Sequence, residues 1–182
     1  ALCSILNDVG KTAYMYNNPE ITEKFLPYVE KYLAPWDYSQ DHVVAVDIAT
    51  PNLFPKNFDL PVELCIDHHP TNNGYSEYLC LNAQKSACGE NICDIADELG
   101  GTLNPEQATL LFIALSTDTG CFRYSNTNAD SFMCAAKLTL AGANKDDVTL
   151  RFFRKASKGR ILLESEVISN MSFYRNGLIT VA

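Results

Sequence analysis

Residues Cys65 to Ser76 read CIDHHPTNNGYS, and two of the chain's three histidines stand side by side there, directly behind Asp67. Imidazole nitrogen and carboxylate oxygen together form a ligand set for Mn²⁺, Mg²⁺ or Zn²⁺. Two more carboxylates occupy comparable settings: Asp47 near the end of HVVAVDI (residues 42–48), and Asp118 in TDTGCFRYSNT (117–127), where LLFIALS meets a glycine turn. Each has an ordinary reading alone. Asp47 can cap a helix or turn, Asp118 can make an Asx-turn into Gly120, and His68 and His69 can be satisfied surface side chains. Gathered in one place they read differently, because clustered carboxylates repel one another unless cations neutralise them.

For these groups to meet, the elements ahead of them must be neighbours. The segments 12–16 (TAYMY), 42–48 (HVVAVDI) and 62–66 (VELCI) are short, apolar and bounded by Gly, Pro, Asn or Asp, which predicts strands, with 76–81 (SEYLCL) a weaker fourth. Helical periodicity covers 1–9, 21–33, 87–99, 105–115, 129–140 and 158–173. Asn104 before Pro105 is an N-cap and N1 pair, and Gly100, Gly101 and Gly142 suit helix ends. Alternation of strand and helix in the first half predicts an α/β layer structure with a mainly parallel sheet, followed by a mostly helical second half. In such a sheet ligands collect outside the carboxyl ends of the strands, where Asp47 and Asp67–His69 stand. Residues 56–61 read as a loop, 178–182 (LITVA) as a strand with no partner in view, and there is no internal repeat.

Composition narrows the function classes. At 182 residues, 47% hydrophobic and 20% charged, the chain is long enough for one domain with a proper core. Its formal charge of −8 argues against a broad basic groove, so long duplex nucleic acid is not an expected partner. Bound divalent cations would reverse that sign locally, which leaves room for a short phosphate-bearing substrate. Seven cysteines, with no CxxC pair, read as small buried thiols in a reducing compartment; Cys88 and Cys93 have the wrong spacing for a zinc site. No signal peptide is visible and no apolar run approaches a membrane span, so the expected location is the cytoplasm.

DHH at 67–69, the earlier AVDIATP and the later TDTGCFRYSNT resemble three ordered metal-site motifs of the DHH phosphoesterase superfamily. The wording of DHHPTNN, ACGENICDIADELG, TDTGCFRYSNTNAD and AAKLTLAGAN is similar to the branch of nanoRNases and 3′-phosphoadenosine 5′-phosphate (pAp) phosphatases, over nearly the whole chain. The resemblance implies a Rossmann-like DHH domain of three layers, α/β/α, spanning residues 1–177. The family's first motif, an Asp-x-Asp-Ala run, would then end at about Ala1. Residues 178–182 would lead toward a C-terminal substrate-binding (DHHA1) domain, so the chain is expected to hold the middle of the catalytic domain and, alone, to bind Mn²⁺ weakly.

The same resemblance implies two divalent ions, Mn²⁺ ahead of Mg²⁺. Asp47 would be the bridging ligand, with His68 and Asp118 completing one ion's shell. Asp67 would orient an imidazole, and His69 would face the substrate phosphate and support the leaving oxygen. Arg123 is a candidate phosphate clamp on which an ordinary salt bridge has equal claim, and Phe122 and Tyr124 are more simply core than base-stacking residues. The implied activity is Mn²⁺-dependent hydrolysis of short oligonucleotides and pAp. The alternatives are a cyclic or linear dinucleotide (c-di-AMP type) phosphodiesterase, and a nucleotide-binding module that has lost catalysis. Nothing in the sequence fixes whether the chain forms a homodimer.

Overall fold

The computed structural model describes residues 1–181. Strands β1 (Val44–Val46), β2 (Leu64–Asp67) and β3 (Tyr78–Leu81) form a sheet in the order β1-β2-β3 with every pairing parallel. Val46 lies opposite Ile66, and Asp67 opposite Leu81. The central strand β2 carries the residues that a parallel strand needs, because both of its faces are covered. Ile66 points into a core with Ile5, Cys88, Ile92 and Leu115, while Cys65 and Asp67 alternate to the other face. There Asn72 and Tyr75 close over the strand, with the Tyr75 hydroxyl donating to the Ile48 carbonyl at 2.9 Å. The α/β class and the parallel sheet are as the sequence predicts, although each strand is shorter than its apolar run.

The helices are α1 (Leu2–Asp8), α2 (Leu26–Val29), α3 (Cys88–Glu98), α4 (Pro105–Asp118), α5 (Ala129–Leu140), α6 (Lys145–Thr149) and α7 (Lys158–Ser169). Helix α4 begins in a full capping box: the Asn104 side chain accepts from the Gln107 N–H, and the Gln107 side chain accepts from the Asn104 N–H. Helices α3 and α4 cross closely at Gly89, where a β-carbon would lie 2.9 Å from the Ala114 Cβ. That contact seats α3 against the sheet, with Cys88 beside Ile66.

Four sequence expectations are corrected. Residues 12–16 form no strand; Met15 makes a single bridge to Leu33, and Tyr14 and Tyr16 pack their rings on Tyr38 and Phe58. The helix over 21–33 reduces to α2 and a 3₁₀ turn (Glu30–Tyr32), because Pro27 lacks an N–H and is tolerated only in a first helical turn. α7 stops at Ser169 instead of 173, and Ile179–Val181 (β5) has a partner after all: it pairs antiparallel with Ser172–Tyr174 (β4). Ala182, the last residue of the predicted strand, lies outside the described residues. Of the seven free thiols, Cys65, Cys88 and Cys93 are buried, Cys3, Cys121 and Cys134 half-buried and Cys80 exposed.

Candidate metal centre

The carboxyl ends of β1 and β2 deliver the first groups. Asp47 follows β1, donates its N–H to the Ile66 carbonyl at 2.9 Å and has φ +65°. That left-handed turn is strained for most residues and least so for Asn and Asp, and it aims the carboxylate back across β2. Asp67 ends β2 and is fully buried. Its Oδ1 accepts from the His68 N–H (2.7 Å), the His69 N–H (3.2 Å) and the His69 ring Nδ1 (2.7 Å), and its Oδ2 accepts from the Asn72 amide (2.7 Å). Burial pushes this carboxyl's pKa up, but the hydrogen bonds from Asn72, His69 and the backbone outweigh it and hold it below the ordinary value. Asp67 is therefore ionised and spent on orientation: it fixes both histidine backbones and the His69 ring.

His68 is held from behind. Its Nδ1 lies 3.1 Å from the Lys85 carbonyl, which can only accept, so the neutral ring carries its proton on Nδ1. That leaves the Nε2 lone pair facing outward, 3.3 Å from Asp47 Oδ1 and 3.7 Å from Asp118 Oδ2. In the absence of a metal, the hydrogen bond to Asp47 raises the His68 pKa to about 9 despite burial. His69 is more open, with its Nδ1 3.7 Å from Asp47 Oδ1 and its ring centroid 4.4 Å from that of His68.

Asp118 arrives from another layer as the last residue of α4. Burial, then the like charge of Asp47, raise its pKa to about 6. A carboxylate there also faces the negative end of the helix dipole, and burial and Asp47 outweigh His68 and His69, which favour its charge. The position is fixed by the turn that follows: Gly120, Cys121 and Phe122 all have positive φ, at 56°, 58° and 64°. Cys121 N–H returns to the Ser116 carbonyl and closes α4, and the Thr119 hydroxyl accepts from Phe122 N–H. Asn126 ties the loop to the rest by donating to the carbonyls of both Asp118 and Ser86.

Ligand atoms of Asp47, Asp67, His68 and His69 all lie within 4.8 Å of one another, and Asp118 joins them through His68. The structure thus brings together all five residues singled out in the sequence. Arg123 donates its Nε–H to the Gly120 carbonyl at 2.7 Å. Phe122 packs against Phe112 and Phe132, and Tyr124 is exposed. Sequence reasoning missed the supporting groups: the Lys85 carbonyl, Asn72, Asn126, and Asn91, whose amide donates to the Asp67 carbonyl at 2.9 Å. The doubled Asn of HHPTNN was a signal for Asn72; a backbone carbonyl leaves none.

Compared with known proteins, the chain matches no family model. A Thermus thermophilus protein named bifunctional oligoribonuclease and PAP phosphatase NrnA is 32% identical over 183 residues, covering 97% of this chain and 55% of that protein. The chain is a relative of the DHH-type oligoribonuclease and PAP phosphatases. Proteins of the same name from Bacillus subtilis (25% identical, 64% of this chain and 38% of the relative) and Mycoplasma genitalium (37%, 44% and 26%) match shorter stretches. The chain spans about half the length of the relative it matches throughout. Among solved structures, an exopolyphosphatase-related protein from Bacteroides fragilis superposes with a TM-score of 0.83 at 20% identity, over 96% of this chain and 56% of that one, and so shares the fold.

Proposed function

We propose that the protein is a divalent-metal-dependent phosphoesterase, hydrolysing short oligonucleotides and pAp. One observation carries this reading: two carboxylates from different layers converge on the outer nitrogen of one imidazole whose other nitrogen is already engaged. The donor set fits a hard or borderline cation. His68 Nε2, Asp47 and Asp118 supply one nitrogen and carboxylate oxygens, and their mutual repulsion and unfavourable burial call for positive charge between them. In this reading they would hold one ion, and Asp47 would contribute to a second. Mn²⁺ or Mg²⁺ suits the oxygen-rich set. The relatives' names support the choice of substrates.

Bound divalent ions supply a water acidic enough to ionise near neutral pH and positive charge against the phosphoryl oxygens. The chain's own residues do the rest. Asp67 holds His69 by Nδ1, so that its outer nitrogen stays free and, in the doubly protonated ring, would donate to a substrate phosphate or to the departing oxygen. Lys85 and Asp67 prevent His68 from turning away. The test is hydrolysis by the intact protein of pAp, a dinucleotide RNA and cyclic di-AMP, with and without Mn²⁺. Mn²⁺-dependent release from the first two is expected; preference for cyclic di-AMP would replace the substrate class, and no metal-dependent turnover of any would remove the enzyme reading.

A further inference from the structure

Glu90 is a buried carboxyl that the metal centre as described does not use. It stands in the first turn of α3, is 1% exposed, and has one oxygen, Oε2, with no hydrogen-bond partner. A Glu at this place in a capping box reaches the backbone N–H of the N-cap residue, here Ala87. Glu90 reaches one residue further: its Oε1 accepts from the Ser86 N–H at 3.0 Å. That N–H belongs to the same peptide group as the Lys85 carbonyl, which accepts from His68 Nδ1 at 3.1 Å. A single rigid peptide plane therefore has the metal-facing histidine on its oxygen and Glu90 on its nitrogen. A cap alone does not account for a carboxyl with an unpartnered buried oxygen, whose desolvation is unfavourable.

We propose that Glu90, acting through the Lys85–Ser86 peptide group, is the positioning residue that holds the His68 ring with Nε2 toward Asp47 and Asp118. The inference rests on the metal-centre reading given above. Fixing one end of the peptide plane fixes the direction of its carbonyl, and hydrogen bonds in such a chain strengthen one another. The same junction reaches the opposite ligand. Ser86 Oγ bonds Ser131 Oγ at 2.6 Å and donates to the Asn126 carbonyl at 2.5 Å, while the Asn126 amide holds the carbonyls of Ser86 and Asp118. Glu90 thereby braces a hub on which the ligand from β2 and the ligand from α4 both lean.

The test compares Glu90→Gln, which keeps an acceptor of the same length, with Glu90→Met, which fills the space without one, in the intact protein. Mn²⁺ affinity is read by electron paramagnetic resonance, and the His68 tautomer by ¹⁵N NMR of the metal-free protein at about pH 10, where the ring is neutral. Glu90→Gln is expected to keep the Nδ1–H tautomer and its Mn²⁺ affinity. Glu90→Met is expected to mix tautomers and to lose about tenfold or more in affinity, the range for groups that orient a metal-binding imidazole. A folded Glu90→Met protein with the original tautomer and affinity would overturn the proposal. Should that variant not fold, the Ser86 amide resonance of the unaltered protein decides: it should shift when Mg²⁺ is added, and no shift on saturation counts against the relay. If the unaltered protein binds no divalent ion, the proposed function fails, and the metal-free tautomers of the two variants still judge Glu90.

Discussion

His68 and Asp118 carry opposite charges on opposite sides of the same gap, and both have pKa values displaced by it. His68 is raised to about 9 by Asp47, so near neutral pH a proton occupies the Nε2 position that a cation would take. A divalent ion must displace that proton. Mn²⁺ affinity should therefore climb with pH by up to tenfold per unit below about 9 and level off above it; calorimetric titrations that show a flat profile would contradict the arrangement. Asp118 gives the converse test. Its pKa, raised from 3.8 to about 6, means that its charge costs stability above about pH 6 and nothing below about pH 4, where it is protonated whether folded or not. Asp118→Asn should accordingly stabilise the metal-free protein by about 1–3 kcal/mol at pH 7 to 8, with the gain gone at pH 4, while weakening Mn²⁺ binding about tenfold or more. Denaturant melts at the two pH values and a metal titration measure both halves. The clustered residues Asp47, Asp67, His68, His69 and Asp118 were legible in the sequence because Asp and His at the ends of apolar runs have few other reasons to be there. Lys85, recognised only through its carbonyl, could not be, since every residue has one.

Elements were legible where local signals agreed and illegible where a single residue vetoed a pattern. Asn104-Pro105 set the start of α4 and Gly142 the end of α5, because capping chemistry is local. Pro27 cut the apolar period of 21–33 short, and at 12–16 alternating tyrosines found ring partners in place of a strand. What periodicity could not convey is the close crossing of α3 and α4, which depends on Gly89 having no side chain. Gly89→Ala would put a methyl 2.9 Å from Ala114 Cβ and 3.4 Å from the Leu111 carbonyl, neither of which can swing aside. A loss of about 1–3 kcal/mol in unfolding free energy is expected. Because Glu90 follows Gly89, the same change should also weaken metal binding. A Gly89→Ala protein with unchanged stability in urea would mean that the helices separate more easily than their packing implies. Gly120→Ala is a milder case: Tyr124, which overlies the site of the new β-carbon, is exposed and can move, so the remaining cost is the left-handed backbone, about 1 kcal/mol.

Across the whole molecule, the described part buries its apolar surface unevenly. Helices α3, α4 and α5 pack on one another and on β2, whereas every residue of α7 and of the β4–β5 hairpin lies open, Leu163, Ile168, Phe173 and Leu178 included. No described helix is long and apolar enough to cross a membrane. With 22 acidic against 14 basic side chains, the protein's net charge opposes phosphate approach, so an ion at the Asp47–His68–Asp118 gap would act on both stability and substrate. The stability effect can be measured without any substrate. A ligand that binds only the folded state at a hundred times its dissociation constant adds about 2.7 kcal/mol. At about 2–4 °C per kcal/mol for a domain of this size, saturating Mn²⁺ should raise the melting temperature by roughly 5–10 °C. Chelator should reverse the rise. Asp118→Asn should show about half of it or less at the same Mn²⁺ concentration, because tenfold weaker binding leaves about 1.4 kcal/mol. A rise of equal size in both proteins would place the bound ion somewhere other than the gap between β1, β2 and α4.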